Sequence, residues 1–365
     1  MMVSNVTWLR VGAAPPHKEA QVSVAMRICL LLSAVVLFLP APASARIVEC
    51  GEVITVDTRV DNDLVCPTPV ALEIGADGVH LDLGGHTIEA VGFVDESGLT
   101  YEEGEGLRIF GYDDVSVANG TLIGHVSLGY GLRASESDRL SVSRVSVQGY
   151  GSLIVRGDAV RIVDVTADGF ASVIDSNGAT IKNLTTETEL DVSGLAVRVT
   201  GGDFRSFAGF DVDGSLLRRN VTTEGLHIGG SGNSILRNHG GGLFLNAGGG
   251  NIVRGNRLTA GLVLSPGFSG NLIRGNTVTG GAGFPEGDAI IVAAGAVGNV
   301  LVANSASGSG DDGIDVEEPS TTLIRNRAFG NPDLGIEAVA GVIDGGGNRA
   351  WDNGNPLQCL NVACG

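Results

Sequence analysis

The sequence predicts an all-β solenoid, in which short strands coil in register and the coils stack on one another. Glycine makes up 57 of the 365 residues, about twice its usual share of roughly 7%. Short β-branched runs alternate with Gly, Asn and Asp, and no amphipathic helical pattern of any length interrupts them. Such a composition also occurs in disordered chains, but 43% hydrophobic residues and a regular repeat argue against disorder.

The repeat is clearest in the second half of the chain, where similar short segments each end in asparagine. These asparagines recur at intervals of 18 to 28 residues, close to the roughly 20-residue period of some solenoids. We predict that they stack as a structural ladder and occupy sharp corners, because asparagine tolerates the left-handed conformation and hydrogen-bonds nearby backbone. The ladder comprises Asn220, Asn238, Asn256, Asn276, Asn304, Asn326 and Asn348.

An upstream series of large residues recurs every 20 positions. It predicts a stack of side chains inside the coil or at a corner, and a platform on which sugars stack is the alternative. Its members are Tyr130, Tyr150, Phe170, Leu190 and Phe210. One coil cannot bury its apolar face alone, so neighbouring coils must pack together. With strands about 4.8 Å apart, about 12–13 coils would form a rod roughly 60 Å long.

The chain divides into a leader, two caps and the solenoid between them. Residues 1–25 are interpreted as an over-long start, and residues 26–45 as a signal peptide with a small-residue cleavage site. The apolar run of about twelve residues is shorter than the roughly twenty that a membrane span needs. Residues 46–77 are predicted as an N-terminal cap, 78–351 as the solenoid and 352–365 as a C-terminal cap. We therefore expect a secreted, periplasmic or cell-surface protein without a membrane span in its mature chain.

Four cysteines remain after the leader, in two close pairs: Cys50 with Cys66, and Cys359 with Cys364. In an exported protein such pairs favour disulfides at the two caps, and free buried thiols are the alternative. The leader carries three basic residues and one acidic residue, so its removal changes the net charge from −18 to −20. A chain this acidic repels nucleic acid at long range, and we expect no nucleic-acid partner.

Residues 307–318 carry five carboxylates within eight positions. If Asp315 points outward between apolar neighbours, Glu337 lies about one strand spacing away on the same face. Two carboxylates that close can raise a pKa for acid–base catalysis or hold a cation. We therefore consider Asp311, Asp312, Asp315 and Glu337 candidate catalytic residues, and Asp315 with Glu337 candidate Ca²⁺ ligands. A solvated acidic face is the alternative.

Other features of the repeat receive a structural or a binding interpretation. Asp288, Asp312 and Asp333 each precede an apolar strand start, which favours a structural role for them. Arginines form two outward series, one two positions before the ladder asparagine and one just after it, and stacked guanidinium groups suit repeated carboxylates or sulfates. Plain solubility is the alternative. The candidate substrate-binding arginines are Arg218, Arg254 and Arg274 in the first series, and Arg257 and Arg327, with Arg349, in the second.

The repeated N-x-[LIV]-x-x-N segments, the D-G-I turn at residues 312–314 and the stretch LDLGGHTI resemble repeats of the pectin-lyase-like superfamily. This resemblance covers residues 48–358 and implies a right-handed parallel β-helix. It also implies chemistry: lyases of this fold bind Ca²⁺ on stacked outer acids, and hydrolases of this fold carry a G-D-D-C motif. Residues 310–313 match that motif at three of four positions, but the accompanying N-T-D, G-H-G and R-I-K motifs are missing from the sequence.

Two functions of different classes follow from these observations. The first is an exported β-helix protein that binds or modifies a polysaccharide on an outer strand face, as a lyase, hydrolase or epimerase if it is catalytic. Ca²⁺ is then the candidate cofactor. The second is a non-catalytic rod with a structural, surface or adhesion role.

Overall fold

A computed structural model describes residues 44–94, 101–125, 129–281 and 287–365. Within these ranges the regular secondary structure is all β. Strands pair in parallel with the equivalent strands of neighbouring coils, which confirms the predicted solenoid. The described residues contain no helix that is long and apolar enough to cross a membrane. The predicted leader lies outside them, apart from residues 44 and 45.

Three parallel sheets, here called A, B and C, run along the stack, and each complete coil passes through them in that order. Sheet A has about 14 strands, slightly more than predicted. In chain order they are Glu52–Ile54, Val70–Ile74, Glu105–Phe110, Tyr130–Ser135, Leu153–Arg156, Ala171–Ile174, Leu190–Leu195, Phe207–Asp213, the C-terminal parts of Val221–Gly229 and His239–Leu245, Leu262–Leu264, Ile290–Val292, Ile314–Val316 and Ile336–Ala338.

Sheets B and C share several long strands that bend from one sheet into the next. The strands of sheet B are Ser44–Arg46, Thr58–Val60, His80–Asp82, the N-terminal parts of Ser116–Ile123, Ser141–Gln148, Arg161–Ala167 and Thr180–Thr186, and then Arg198–Thr200, Leu216–Arg218, Ser234–Leu236, Ile252–Arg254, Leu272–Arg274, Val300–Val302, Thr322–Ile324 and Ile343–Asp344.

Sheet C completes each coil. Its strands are Leu64–Cys66, Thr87–Ala90, the C-terminal parts of the four long strands shared with sheet B, Asp203–Phe204, the N-terminal parts of Val221–Gly229 and His239–Leu245, and then Arg257–Leu258, Thr277–Thr279, Ser305–Ser307, Arg327–Phe329 and Arg349–Trp351. Two minor pairs lie outside the three sheets, Phe93–Val94 with Tyr101–Glu102 and Gly248–Gly249 with Phe268–Ser269.

The core lies between the three sheets and is filled by columns of aliphatic side chains. In the second half, the residue three positions before each ladder asparagine from Asn238 to Asn326 is fully buried, as the repeat predicts. These residues are Ile235, Val253, Ile273, Leu301 and Leu323. Alternation along each strand places their neighbours outside, so each sheet presents one face to the core and one outward.

The sharp corner lies one residue before the ladder asparagine, and the prediction that the asparagine itself occupies it is wrong. Arg219, Arg237, Ala303 and Arg325 have φ between 53° and 57° at this position, and glycines take it in the remaining coils. The asparagine instead turns its amide into the stack, where only 0–1% of each ladder residue is exposed. Its contribution is hydrogen bonding rather than backbone tolerance.

The large-residue series at 20-residue intervals does not form one column. Leu190 pairs with Ala208, only 18 positions later, so residues spaced by 20 drift across sheet A. Leu190 and Phe210 are consequently buried in the core, whereas 64% of Tyr150 is exposed. Only the first three members of the series, Tyr130, Tyr150 and Phe170, line an outer surface.

Coils begin earlier than the predicted boundary at residue 78, which accounts for the larger number of them. Glu52–Ile54 already pairs with Val70–Ile74 in sheet A. Disulfides join Cys50 to Cys66 in this first part of the stack and Cys359 to Cys364 at its other end. The backbone of Cys359 also forms a parallel β-bridge with Ile336 in the last strand of sheet A, so the C-terminal segment continues the stack.

Candidate functional site

Two acids of the predicted acidic stretch and one from the preceding coil lie close together beside sheet A. Asp288, Asp311 and Asp312 offer carboxylate oxygens that all lie within 4.8 Å of one another. Asp288 Oδ1 accepts the backbone N–H of Asp312 at 2.6 Å, and Asp312 Oδ1 accepts that of Leu334 at 2.6 Å. These bonds link successive coils, in agreement with a structural role for both residues. Asp333 bonds elsewhere, to the side chain of Asn355.

The other two predicted acids stand next to this group. Asp315 and Glu337 are directly paired in register, but Asp315 is only 8% exposed, which is less than an outward position implies. Burial, and then a hydrogen bond to Glu337, raise the pKa of Asp312 to about 8. We call Asp288, Asp311, Asp312, Asp315 and Glu337 the acidic cluster.

A cation at this cluster would have oxygen ligands, the kind that Ca²⁺ prefers. The three carboxylates that lie close enough to share one ion belong to Asp288, Asp311 and Asp312. The candidate Ca²⁺ ligands from the sequence, Asp315 and Glu337, are not in that group of three. Asp288 was not predicted as a ligand, because its position in the repeat favours a structural role.

The predicted arginines lie on other sheets and are not brought together with the acids. Arg254 and Arg274 are direct neighbours on sheet B, but Leu236 separates them from Arg218. Arg257 and Arg327 both belong to sheet C, where Thr277 and Ser305 lie between them. An arrangement in which these arginines orient a substrate against Asp315 and Glu337 is therefore not supported.

The outward surface of sheet A, here called face A, changes character along the stack. One column of outward residues runs the length of the sheet in direct register. From the N-terminal end, it contains Val53, Glu73, Arg108, Arg133, Ile154, Ser172, Asp191, Gly209, His227, Phe244, Val263, Ile291, Asp315 and Glu337. The acidic cluster thus shares a face with aromatic residues and a histidine.

The first hollow on face A is a cavity of about 700 Å³ lined by Tyr130, Tyr150 and Phe170, with Asp168 and Glu189 at its edge. The ring of Tyr130 lies against the backbone of Gly151, where an added Cβ would come within 2.6 Å of the ring. The Arg133 guanidinium is 4.9 Å from the centroid of the same ring. Glycine at this position therefore allows the ring to lie flat on the coil.

The second hollow extends from the coil that contains Ile174 to the coil that contains Asn246 and has a volume of about 510 Å³. Asp191, Asp211 and His227 line it, and glycines occupy the outward positions one coil after each acid. An added Cβ at Gly209 would meet Asp191 Oδ1 at 2.7 Å, and one at Gly229 would meet Asp211 Oδ1 at 3.3 Å. Because glycine has no side chain, the Asp191 and Asp211 carboxylates can occupy the space above Gly209 and Gly229.

Two phenylalanine rings pack against His227 at the second hollow. The His227 ring stacks on Phe244 with centroids 4.4 Å apart, and Phe207 meets it edge-on at 5.3 Å. Burial lowers the pKa of His227, and the charge of Glu189 opposes this effect. The imidazole is therefore neutral at pH 7, where one ring nitrogen donates and the other accepts a hydrogen bond.

Two arginines close to the hollows, Arg133 and Arg205, are paired with acids. Arg133 is 3.0 Å from Glu105, whose side chain is almost fully buried, and 3.5 Å from Glu103. Arg205 is 2.6 Å from Glu187. No lysine or arginine is among the described residues that line either hollow. Carboxylates therefore dominate the electrostatics of both hollows.

No protein-family model and no curated protein matches the sequence. Among solved structures, the chain resembles PfbA, a surface adhesin of Streptococcus pneumoniae, with 10% identity over 77% of this chain and 84% of that one, at a TM-score of 0.42. It also resembles the periplasmic alginate epimerase AlgG, with 13% identity, 86% and 77% coverage and a TM-score of 0.32. A third is the Dettilon tailspike protein, with 13% identity, 84% and 61% coverage and a TM-score of 0.34.

At these TM-scores the likenesses carry no argument about function, and the stacked coils themselves define the architecture. The chain is a parallel β-helix protein. Its fold leaves activity open, so function has to be argued from the site. On this β-helix the most distinctive sites are the two hollows, which sequence reasoning found only in part. The series that begins with Tyr130 and Tyr150 was the available signal, but the roles of His227, Phe244 and Asp191 depend on register.

Proposed function

We propose that this protein binds a polysaccharide along face A, with sugar units in the first and second hollows. The observation that carries the proposal is the succession of two aromatic-walled, carboxylate-lined hollows on one outer face. They occupy consecutive coils, from the one that contains Tyr130 to the one that contains His227. Five strand spacings of about 4.8 Å give the site a length of roughly 24 Å, which suits a polymer better than a single sugar.

The chemistry of both hollows suits sugar rings. A pyranose presents C–H groups on its faces and hydroxyl groups around its edge. The aromatic rings of Tyr150 and Phe170 offer flat apolar surfaces for the C–H groups. Carboxylates such as Asp191 accept hydrogen bonds from the hydroxyl groups, and charged acceptors form stronger hydrogen bonds than neutral ones. Few polar groups placed against aromatic walls are typical of small-molecule sites.

The charge of the site favours neutral or amino-bearing polysaccharides over polyuronates. Asp168, Glu189, Asp191 and Asp211 line the hollows, and no lysine or arginine is among the described lining residues. A polyanion would face like charges on a chain whose net charge is −18. This inference differs from the sequence expectation in which arginines hold uronate carboxylates.

The experiment is a binding panel, by affinity electrophoresis and calorimetry, with soluble xylan, dextran, chitosan and polygalacturonate. We expect a neutral or cationic member to bind, and the double variant Tyr150→Ala/His227→Ala to weaken it at least about 10-fold, as loss of about 1.4 kcal/mol would. His239→Ala is the matched control, because His239 is an exposed histidine on sheet C. If none of the four polymers bound, the proposal would be lost and the non-catalytic rod would remain.

Modification of the bound polysaccharide is a second candidate function. It is favoured by the acidic cluster, which lies on the same face as the hollows and pairs Asp315 with Glu337. Such carboxylates could act as acid and base, as in glycoside hydrolysis. The test is to incubate the best-binding polysaccharide with and without Ca²⁺ and to follow reducing ends and unsaturated products. Product from the wild type and none from Asp315→Asn would establish catalysis, whereas no product from either leaves binding alone.

We also propose that the protein is exported. Two disulfides fit an oxidising compartment, and residues 26–45 have the pattern of a secretory signal. Expression of the full chain with a C-terminal tag, followed by fractionation and N-terminal sequencing, tests this directly. We expect a mature chain that begins near Arg46, and an unprocessed chain in the cytosol would contradict export.

A further inference from the structure

Two arginines stand side by side at the C-terminal end of sheet C. Arg327 and Arg349 are direct neighbours in register, and both are exposed. Like charges directly opposite each other on one face of a sheet destabilise the pair. Among the described residues, neither guanidinium takes part in an ion pair or a side-chain hydrogen bond. This arrangement has an electrostatic cost that a bound anion would remove.

An aromatic pair lies two residues further along the same two strands. Phe329 and Trp351 stack with centroids 4.8 Å apart and an angle of 8° between the rings. Trp351 is 39% exposed although it is large and apolar. Exposed aromatic surface beside cationic groups is unusual on a chain this acidic and is typical of a binding site.

A cavity of about 880 Å³ joins these features, and we call it the C-terminal hollow. Arg327, Arg349 and Trp351 line it, together with the segment that follows Val362. That segment is held in place: the Ala363 N–H donates to Asp344 Oδ2 at 2.9 Å, and the Gly365 N–H to the carbonyl of Asn348 at 3.1 Å. The Asp344 carboxylate accepts hydrogen bonds from the backbone N–H groups of Ala363 and Gly346 and from the Asn348 side chain, which lower its pKa. Among the described residues it forms no ion pair with either arginine.

We infer that the C-terminal hollow binds an acidic sugar unit, with its ring on Trp351 and its carboxylate or sulfate between Arg327 and Arg349. Guanidinium groups recognise carboxylate and sulfate in bidentate geometry, and the aromatic surface accepts the apolar face of the ring. This site lies on sheet C and has the opposite charge preference to face A. It is therefore independent of the proposed function, and either can fail alone.

Tryptophan fluorescence gives a direct measurement, because the chain contains only two tryptophans, Trp8 and Trp351. In the full chain with Trp8→Phe, we would titrate an oligogalacturonate, a neutral oligosaccharide of equal length and sodium sulfate, following Trp351 emission. We expect a saturable change with the oligogalacturonate alone. Arg349→Gln should weaken this binding at least 10-fold, while Arg198→Gln, which changes an exposed arginine on sheet B, should leave it unchanged.

The outcomes separate the alternatives. Equal saturation by sulfate would reduce the site to an anion site and overturn the sugar assignment, and equal saturation by the neutral oligosaccharide would overturn the role of the arginines. No saturable change with any of the three would remove the site altogether. Circular dichroism checks the fold of Arg349→Gln. Should that variant misfold, displacement of the oligogalacturonate by added salt in the parent chain provides the second test of an ionic contact.

Discussion

Asn238 and Asn256 are joined by two hydrogen bonds that converge on one oxygen. Asn256 Oδ1 accepts the backbone N–H of Asn238 at 2.8 Å and its side-chain Nδ2 at 3.1 Å. The same geometry links Asn256 to Asn276, and each amide also donates to a backbone carbonyl of a preceding coil, as Asn256 does to Ile235 at 3.0 Å. Each ladder residue thus satisfies buried groups in both neighbouring coils.

Replacement of Asn256 by alanine should destabilise the stack strongly. The change leaves the buried N–H of Asn238 without its acceptor and opens a gap in the ladder. An unsatisfied buried group costs about 1–3 kcal/mol, so we expect a loss of about 3 kcal/mol in total. Thermal and urea unfolding measure it. Arg254→Ala, an exposed change two positions away in the same coil, should stay within about 0.5 kcal/mol of wild type. Similar losses for both variants would contradict the role of the ladder.

The two disulfides should contribute unequally to stability. In the chain-entropy model, a cross-link between Cys50 and Cys66, 16 positions apart, is worth about 3 kcal/mol. The one between Cys359 and Cys364, only 5 positions apart, is worth about 2 kcal/mol. We expect Cys50→Ser/Cys66→Ser to lower the unfolding temperature more than Cys359→Ser/Cys364→Ser, as measured by calorimetry. The reverse order would show that native contacts at the C-terminal end outweigh loop closure.

The fold was predictable because the residues that determine it recur once in every coil. Asn220 to Asn348 repeat one geometry, and a residue that recurs once per coil must stack on its copies, whatever the loops between them do. The prediction failed where the period changed. Coils of 18 residues near Leu190 moved the large-residue series across sheet A. The first coils went unrecognised because residues 46–77 lack the asparagine signature, although their strands pair normally.

The site was less predictable because it depends on register and burial rather than on residue type. Asp315 and Glu337 could be paired from the alignment, but the hydrogen bond between Glu337 and Asp312 could not be predicted. Arg218 and Arg254, and likewise Arg257 and Arg327, share a repeat position but proved to be two or more coils apart. His227 meets Phe207 and Phe244 only through strand register, so no spacing in the sequence marks the second hollow.

His227 should make the protein less stable in mild acid. Burial lowers its folded-state pKa below the usual 6.5, so the unfolded chain binds a proton first as the pH falls. Stability from this group is present above pH 6.5 and is lost as the pH falls through the folded-state pKa. We expect His227→Gln to show a smaller drop in unfolding temperature between pH 7 and pH 5 than wild type. His239→Gln, on sheet C, is the control and should follow wild type.

Asp312 should make the protein less stable as the solution becomes alkaline. Burial and the neighbouring Glu337 raise its folded-state pKa to about 8, from a usual value of 3.8. The folded state therefore holds a proton that the unfolded state releases, and stability declines as the pH rises from about 4 through 8. In Asp312→Asn the amide can still accept the Leu334 N–H, and no charge develops. With a chelator present, we expect this variant to unfold several degrees above wild type at pH 9 and to lose most of that advantage at pH 5.

The matched control for Asp312→Asn is Asp61→Asn, which removes an exposed carboxylate far along the chain. It should change the unfolding temperature by less than a degree or two at either pH, because an exposed charge contributes little. A second arm adds Ca²⁺ at pH 9. A cation held by Asp288, Asp311 and Asp312 would stabilise the ionised cluster, so wild type should gain stability and Asp312→Asn should gain less. If Ca²⁺ left both proteins unchanged while the pH effect persisted, the cluster would be a proton-sharing network and not a cation site.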